Sequence, residues 1–396
     1  MRLQISQFCF LFAKKVMFEG LSCPGKMPGN EQRRCGLMRC LFTFVQMRRY
    51  CILVAFISAV CAKAQVGGSG VYNVLKQPLT ARMAAWGGYC NAWRDKDVNL
   101  FMVNPALLNG QMHNRLSMNF NSQLKGVWAG NAAYARKWKR DVHAGLGIAF
   151  LNFGMMDAYD AGGNPEGQVQ ANETAITGGL SKQINSRWSL GANLKFVYSI
   201  LGQYISTGAA VDVGSNWTSE DSLVSASLVL RNMGFQLLTY VKGMREPLPF
   251  TAEAGINFKP RHMPFRFNIV AHQLQRFDLT YNQFLKSNSI DLSGEQTFSP
   301  EATFGEKVFR HLTFGTELVL GKNFGIMGGY SHQRRREMAP DIRPGVAGFS
   351  WGIHFKVSKI QIAYSSMAYF PGFNANLFTF TSQISDFRRK TPISRP

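Results

Sequence analysis

From about residue 113 the chain alternates apolar and polar positions with a period of two. Between Trp188 and Tyr198 one face is Trp188, Leu190, Ala192, Leu194, Phe196 and Tyr198, and the other is Ser189, Gly191, Asn193, Lys195 and Val197. Phe250 to Lys259 and Ala347 to Val357 repeat the pattern. Successive side chains of a strand point to opposite faces, so each segment reads as a strand with one apolar face. Fourteen such segments are predicted near 113–124, 127–138, 142–153, 172–185, 187–198, 206–217 and 223–233, then 249–258, 265–273, 309–320, 323–332, 347–357, 360–369 and 374–384. Most have the length of a tilted membrane-crossing strand, about 9–11 residues.

The connections sort by parity. Those after even-numbered strands are short. Those at 154–171, 234–248, 274–308 and 333–346, all after odd-numbered strands, are long, while 125–126 and 370–373 are short although odd. Short turns on one rim and long loops on the other characterise an outer-membrane barrel, with the short side periplasmic. A secreted β-sandwich has no reason to sort its loops this way. The second face carries Lys195, Asp212, Glu253, Asn257, Arg266, Asn268, His272, Glu317, His354 and Lys356 among Gly and Ala, which suits a lumen. The expected fold is all-β: a fourteen-stranded antiparallel transmembrane β-barrel over 113–387, with a tail at 388–396.

Residues 65–112 do not alternate. The small residues Ala81 to Gly88 permit close packing, and Asn104-Pro105 marks a turn. A segment too polar for lipid and placed before the first strand is expected to fold into the lumen as a plug. Upstream, Met47-Arg48-Arg49-Tyr50, an apolar stretch from Cys51 to Ala62 and Ala62-Lys63-Ala64 form a secretory signal peptide over 47–64. Residues 1–46 then read as an extension from a start assigned too early, with initiation at Met47 or Met38.

Composition agrees with this division. The 396 residues are 46% hydrophobic, 13% aromatic and only 17% charged, with 38 Gly and 31 Phe. A disordered chain would be poorer in aromatics, and no apolar run approaches the about 18 residues of a membrane helix. The formal charge is +21, of which +8 lies in 1–64, leaving about +13 for the remainder. Six of the seven Cys also precede Gln65, so only Cys90 remains, expected as a small buried side chain, and no disulfide framework or Cys-x-x-Cys site follows.

Enzyme signals are weak. Ser122-Gln123-Leu124-Lys125 matches Ser-x-x-Lys but lacks its Lys-Thr-Gly partner. The seven His form no His-Glu-x-x-His, and no phosphate loop is present. No catalytic residue, cofactor or metal is expected, and a nucleic-acid partner does not suit an outer-membrane barrel. Asp212, Glu253, Arg266, His272 and Lys356 either line a conduction path or pair with one another and with the plug; buried charge requires the pairing.

The segment Ala81-Arg82-x-Ala84-Ala85-x-Gly87-Gly88, followed by Asp97-Val98-Asn99-Leu100 and Asn104-Pro105-Ala106 and then the barrel, resembles the long-chain fatty acid transporter superfamily. Within it the chain is most similar to the PorQ family of the type IX secretion system of Bacteroidetes. The similarity is carried by Gly67 to Tyr72, Asp97 to Met112, Arg245-Glu246-Pro247-Leu248-Pro249-Phe250, and Pro264-Phe265-Arg266-Phe267 through Asp278-Leu279-Thr280-Tyr281. It spans roughly Gly67 to Phe387, and the residues before Met47 match nothing in the family. The resemblance implies an accessory outer-membrane subunit of the attachment complex, which holds a PorZ-like surface protein. A PorU-like sortase and a PorV-like shuttle barrel would act beside it, linking cargo to anionic lipopolysaccharide. The alternative is a passive channel for hydrophobic or small solutes. Partner contact is expected on the long loops, at Tyr240, Arg245, Glu246, Phe284 and Phe298. The basic run Arg334-Arg335-Arg336 is a further candidate, for lipopolysaccharide phosphates or an acidic partner.

Overall fold

A computed structural model describes residues 70–123, 126–160, 162–280, 303–321, 323–338, 345–370 and 372–387. The expected leader, the tail at 388–396, Lys125, Phe284 and Phe298 lie outside these residues. The strands are β1 (Arg115–Ser122), β2 (Trp128–Lys137), β3 (Val142–Tyr159), β4 (Pro165–Gln183), β5 (Trp188–Leu201), β6 (Tyr204–Thr218) and β7 (Val224–Leu238). They continue as β8 (Thr251–Phe258), β9 (Phe265–Ala271), β10 (Leu312–Leu320), β11 (Phe324–Ser331), β12 (Phe349–Val357), β13 (Ile360–Phe370) and β14 (Phe373–Gln383). Each pairs antiparallel with its sequence neighbours, and β1 closes on β14 from Arg115↔Gln383 to Ser122↔Asn376. The fold is therefore a closed fourteen-stranded antiparallel barrel. No helix among the described residues is long and apolar enough to cross a membrane.

The apolar faces point outward. Trp188, Leu190, Leu194, Phe196 and Tyr198 are exposed, while Ser189, Asn193, Lys195 and Val197 between them are buried. An exterior of large apolar side chains around a polar, filled interior is stable only where the surroundings are themselves apolar.

Two strands outrun the alternation that predicts them. The 154–171 stretch, expected as a loop, is largely a hairpin: β3 and β4 pair from Met155↔Gln170 to Tyr159↔Pro165 beyond a bulge after Asn152. There Gly154 takes φ 79° and Asn152 Oδ1 accepts its N–H at 2.6 Å. β7 likewise passes through a bulge at Asn232, φ 57°, and continues to Leu238. A bulge inserts one residue and resets the inside–outside phase, so period-two reading stops at each. The expected strand 309–320 also begins late, because Phe304–Arg310 is a short helix with Glu306 and Arg310 one turn apart and bonded at 2.9 Å.

Residues 70–114 run down the lumen. They contain helix α1 (Ala81–Ala85) and 3-10 turns at Asn73–Lys76, Val98–Met102, Pro105–Leu107 and Gly110–Met112. The short elements are capped by their own side chains: Thr80, Asp97, Asn104 and Asn109 each accept the N–H two or three residues on. The segment starts at the long-loop rim, where Val71 N donates to Pro247 O at 3.3 Å, and reaches the short-turn rim around Asn109. Two further helices sit on the long-loop side, α2 (Phe304–Arg310) and α3 (His332–Met338).

Candidate functional site

The lumen is where this chain concentrates buried polar chemistry. Trp86, Phe101, Leu100, Leu107, Leu108 and Met112 of the inner segment are all under 2% exposed. Where Phe101 and Trp86 meet the wall, the wall is glycine. Gly145 and Gly179 are cross-strand partners on β3 and β4, and the Phe101 ring lies on that pair. A Cβ added at Gly145 would sit 3.0 Å from three ring atoms of Phe101, and one at Gly179 would sit 2.8 Å from Cδ2. A Cβ at Gly315 would meet Trp86 Cβ and Cγ at 2.6 Å, and one at Gly352 would meet Ala85 Cβ at 2.9 Å. Wall and inner segment are thus complementary surfaces at the density of a protein core.

Wall side chains supply hydrogen bonds that the inner backbone would otherwise lack. Thr379 Oγ1 accepts from Ala81 N at 2.9 Å, Glu173 Oε2 accepts from Val74 N at 2.7 Å, and Asn193 Nδ2 donates to Phe101 O at 2.8 Å. Ser350 Oγ donates to Ala85 O at 2.9 Å, and Tyr72 OH pairs with Ser206 Oγ at 2.7 Å.

Of the lumen residues weighed as a conduction path, most are paired. Lys195 Nζ lies 2.7 Å from Asp212 Oδ2, and Arg231 NH1 lies 3.0 Å from Glu253 Oε1. Glu253 Oε2 also accepts from Asn91 of the inner segment at 3.3 Å. Glu317 stands between Arg266 at 3.5 Å and His354 Nε2 at 2.7 Å. Arg82 of α1 reaches Asp95 at 2.6 Å and Asp97 at 4.0 Å. Burial works against the Arg82 charge, but Asp95, Glu317 and Asp97 more than offset it and hold the guanidinium above its ordinary value. His272 is buried and stacks on Tyr89 with ring centroids 4.1 Å apart. Lys356 is exposed near the short-turn end of β12. Two gaps beside the inner segment measure only about 20 and 10 Å³. Cys90 is fully buried, and burial pushes its thiol up.

The long-loop candidates divide. Tyr240 is half-buried, with its hydroxyl 2.5 Å from Ser199 Oγ. Arg245 and Glu246 are exposed, while the adjoining Pro247 and Leu248 pack onto the start of the inner segment. The basic run lies on α3 and its members face different ways. Arg334 donates to Gly87 O at 2.7 Å and lies 5.2 Å over the Tyr369 ring, so it clamps the inner segment. Arg335 donates to Gly345 O at 2.6 Å. Arg336 reaches Glu306 of α2 at 2.7 Å and is half exposed. Hydrogen bonds from Arg336 and Arg310 hold the Glu306 carboxyl down at about 2. Among the described residues, no group of three or more His, Cys, Asp or Glu is placed to hold a metal ion.

The class these features define is an outer-membrane-type β-barrel whose lumen is occupied by its own N-terminal segment. No family's sequence pattern matches the chain, and no curated protein matches it. Solved structures do. A deltaS2S3 mutant of the TodX monoaromatic hydrocarbon channel matches at a TM-score of 0.50 and 8% identity, over 79% of this chain and 100% of that one. The CymD monoaromatic hydrocarbon channel matches at 0.49 and 12%, over 79% and 99%. The Ralstonia pickettii toluene transporter TbuX matches at 0.47 and 12%, over 78% and 99%. At these identities the likeness is one of fold.

Proposed function

We propose that this chain is a closed outer-membrane barrel that serves as an anchor. It holds a surface partner on its long-loop side, as a subunit of a type IX attachment complex of the kind the PorQ-like sequence stretches imply. The observation that carries this reading is the seating of the inner segment. Glycine-lined wall positions, buried ion pairs and hydrogen bonds to its backbone fix the segment along the lumen, which favours a rigid scaffold over a conduit. The partner would be a PorZ-like surface protein, contacted through the loop carrying Tyr240, Arg245 and Glu246 and through the residues around Phe284 and Phe298. Arg336, half exposed on α3, is the member of the basic run best placed to add an acidic contact.

The test is a mild-detergent purification of the tagged full chain from cells with active secretion, followed by mass spectrometry. A stoichiometric surface protein, with the sortase and shuttle barrel in smaller amounts, is the expected result. A barrel recovered alone would overturn the anchoring role. Saturable flux of a hydrophobic solute through the reconstituted barrel would favour the alternative, a passive channel like the hydrocarbon channels whose fold it shares.

A further inference from the structure

The short-turn rim opens into a cavity of about 530 Å³. Its floor is the inner segment at Trp93, Arg94 and Asn109, and its walls include Gln183, Ser222 and Asn257. The lining is polar with a single aromatic, so it suits a water-soluble ligand rather than a hydrocarbon tail.

The charges around the cavity do not balance. Arg187, at the mouth, is paired with Glu220. Deeper in the lumen Arg82, Lys195, Arg231 and Arg266 each have a carboxylate. Arg94 has only a neutral partner, donating through NH2 to Gln183 Oε1 at 3.0 Å, and among the described residues no carboxylate reaches it. Burial alone pushes its guanidinium down, with no neighbouring acid acting the other way. A largely buried cation without a counter-charge is costly unless something else supplies the charge.

Two further donors sit behind the same lining. The Trp93 indole N–H and the Asn257 side-chain amide nitrogen are buried and have no acceptor. The Trp93 ring is held in place by Arg266, 4.5 Å over its face, and by an edge contact with Trp86 at 6.0 Å. Both are sealed off by packing, so the donor that lines the cavity without a charged partner is Arg94, and it asks for an oxygen-rich acceptor.

We infer that the short-turn cavity is a binding site for the carboxylate or phosphate group of a small polar solute, taken by Arg94. A guanidinium matches either oxyanion through two parallel N–H bonds. The polar wall at Gln183 and Ser222 would then meet the rest of the solute. The site belongs to the opposite rim from the proposed partner surface and does not depend on it.

Calorimetric titration of the detergent-solubilised full chain with succinate, inorganic phosphate and uncharged succinamide tests this. The expected result is saturable binding of succinate, of phosphate, or of both, with no heat from succinamide. Succinate alone identifies a carboxylate ligand and phosphate alone a phosphate ligand. Arg94→Gln should weaken binding by roughly tenfold or more, the scale of a hydrogen bond to a charged group. Arg94→Lys should retain part of it. Heat-modifiable migration confirms that each variant is folded. Absence of binding by both anions, equal binding of succinamide, or an Arg94→Gln variant that is folded and binds as the parent does would overturn the inference.

Discussion

Leucine at Gly145 should loosen the inner segment from the wall, and its effect should vanish once the Phe101 ring is removed. In the structure three Phe101 ring atoms lie 3.0 Å from where a Cβ would stand at Gly145. Phe101 is fully buried, so the ring cannot swing into open space. Overpacking of a filled core costs about 1–3 kcal/mol. Removing a buried Phe costs about 3–5 kcal/mol. The Gly145→Leu and Phe101→Ala single variants should therefore each favour an undocked segment, whereas the double variant should fall short of their sum by about 1–3 kcal/mol, because the new side chain occupies the space the ring leaves. Cys90 reports on docking: its thiol is fully buried within the same segment. Maleimide labelling at Cys90, located by peptide mass spectrometry, should be negligible in the parent. It should rise by roughly tenfold to a hundredfold in Gly145→Leu, at about 1.4 kcal/mol per decade. Phe101→Ala should rise further, and the double variant should label no faster than Phe101→Ala alone. Unchanged Cys90 protection in Gly145→Leu, or strictly additive rates, would refute the seating of Phe101 on this glycine pair.

Three other outcomes follow from the same geometry. Arg334→Leu loses the charged donor to Gly87 O and the Tyr369 ring contact; it should destabilise docking by about 1.5–3 kcal/mol, read as faster Cys90 labelling. Lys195→Met leaves Asp212 buried and unpaired and should cost about 3–5 kcal/mol in urea unfolding, while Lys195→Met with Asp212→Leu should recover most of that. The α2–α3 tie has an acid limit: the Glu306 carboxyl is held down at about 2 by Arg336 and Arg310, below its unfolded range near 4.5. Its contribution is complete above that range and is lost as pH falls through about 2. Limited pepsin digestion should accordingly open the α2 region only toward pH 2, and Glu306→Gln should open it already at pH 4.

How much of this the residues disclose depends on the strength of each local signal. Trp188 to Tyr198 announces its strand by strict alternation, and the parity of the connections is what turns its apolar face outward. The alternation fails just past Asn152 and at Asn232, where a bulge with one left-handed residue, Gly154 and Asn232 respectively, shifts the phase, so strands β3 and β7 run on past their predicted ends. The run Arg334-Arg335-Arg336 looks like one basic surface in sequence. A short helix instead sends its members to the Gly87 carbonyl, the Gly345 carbonyl and Glu306, and nothing local foretells those partners. The glycines of the polar face did carry a signal. Gly145, Gly179, Gly191 and Gly315 recur on lumen-facing positions, and the reason is visible only once Phe101, Pro105 and Trp86 stand against them. Arg94 drew no attention because its significance lies in a missing counter-charge, a property of the surroundings rather than of the residue.

The central claim is that the lumen is closed by its own chain. Planar-bilayer conductance of the purified full-length barrel tests it most directly, with Gly145→Leu recorded alongside. The parent should show no steady current above bare lipid, and Gly145→Leu, with its inner segment displaced, should conduct. A steady, ohmic current through the parent barrel would contradict it.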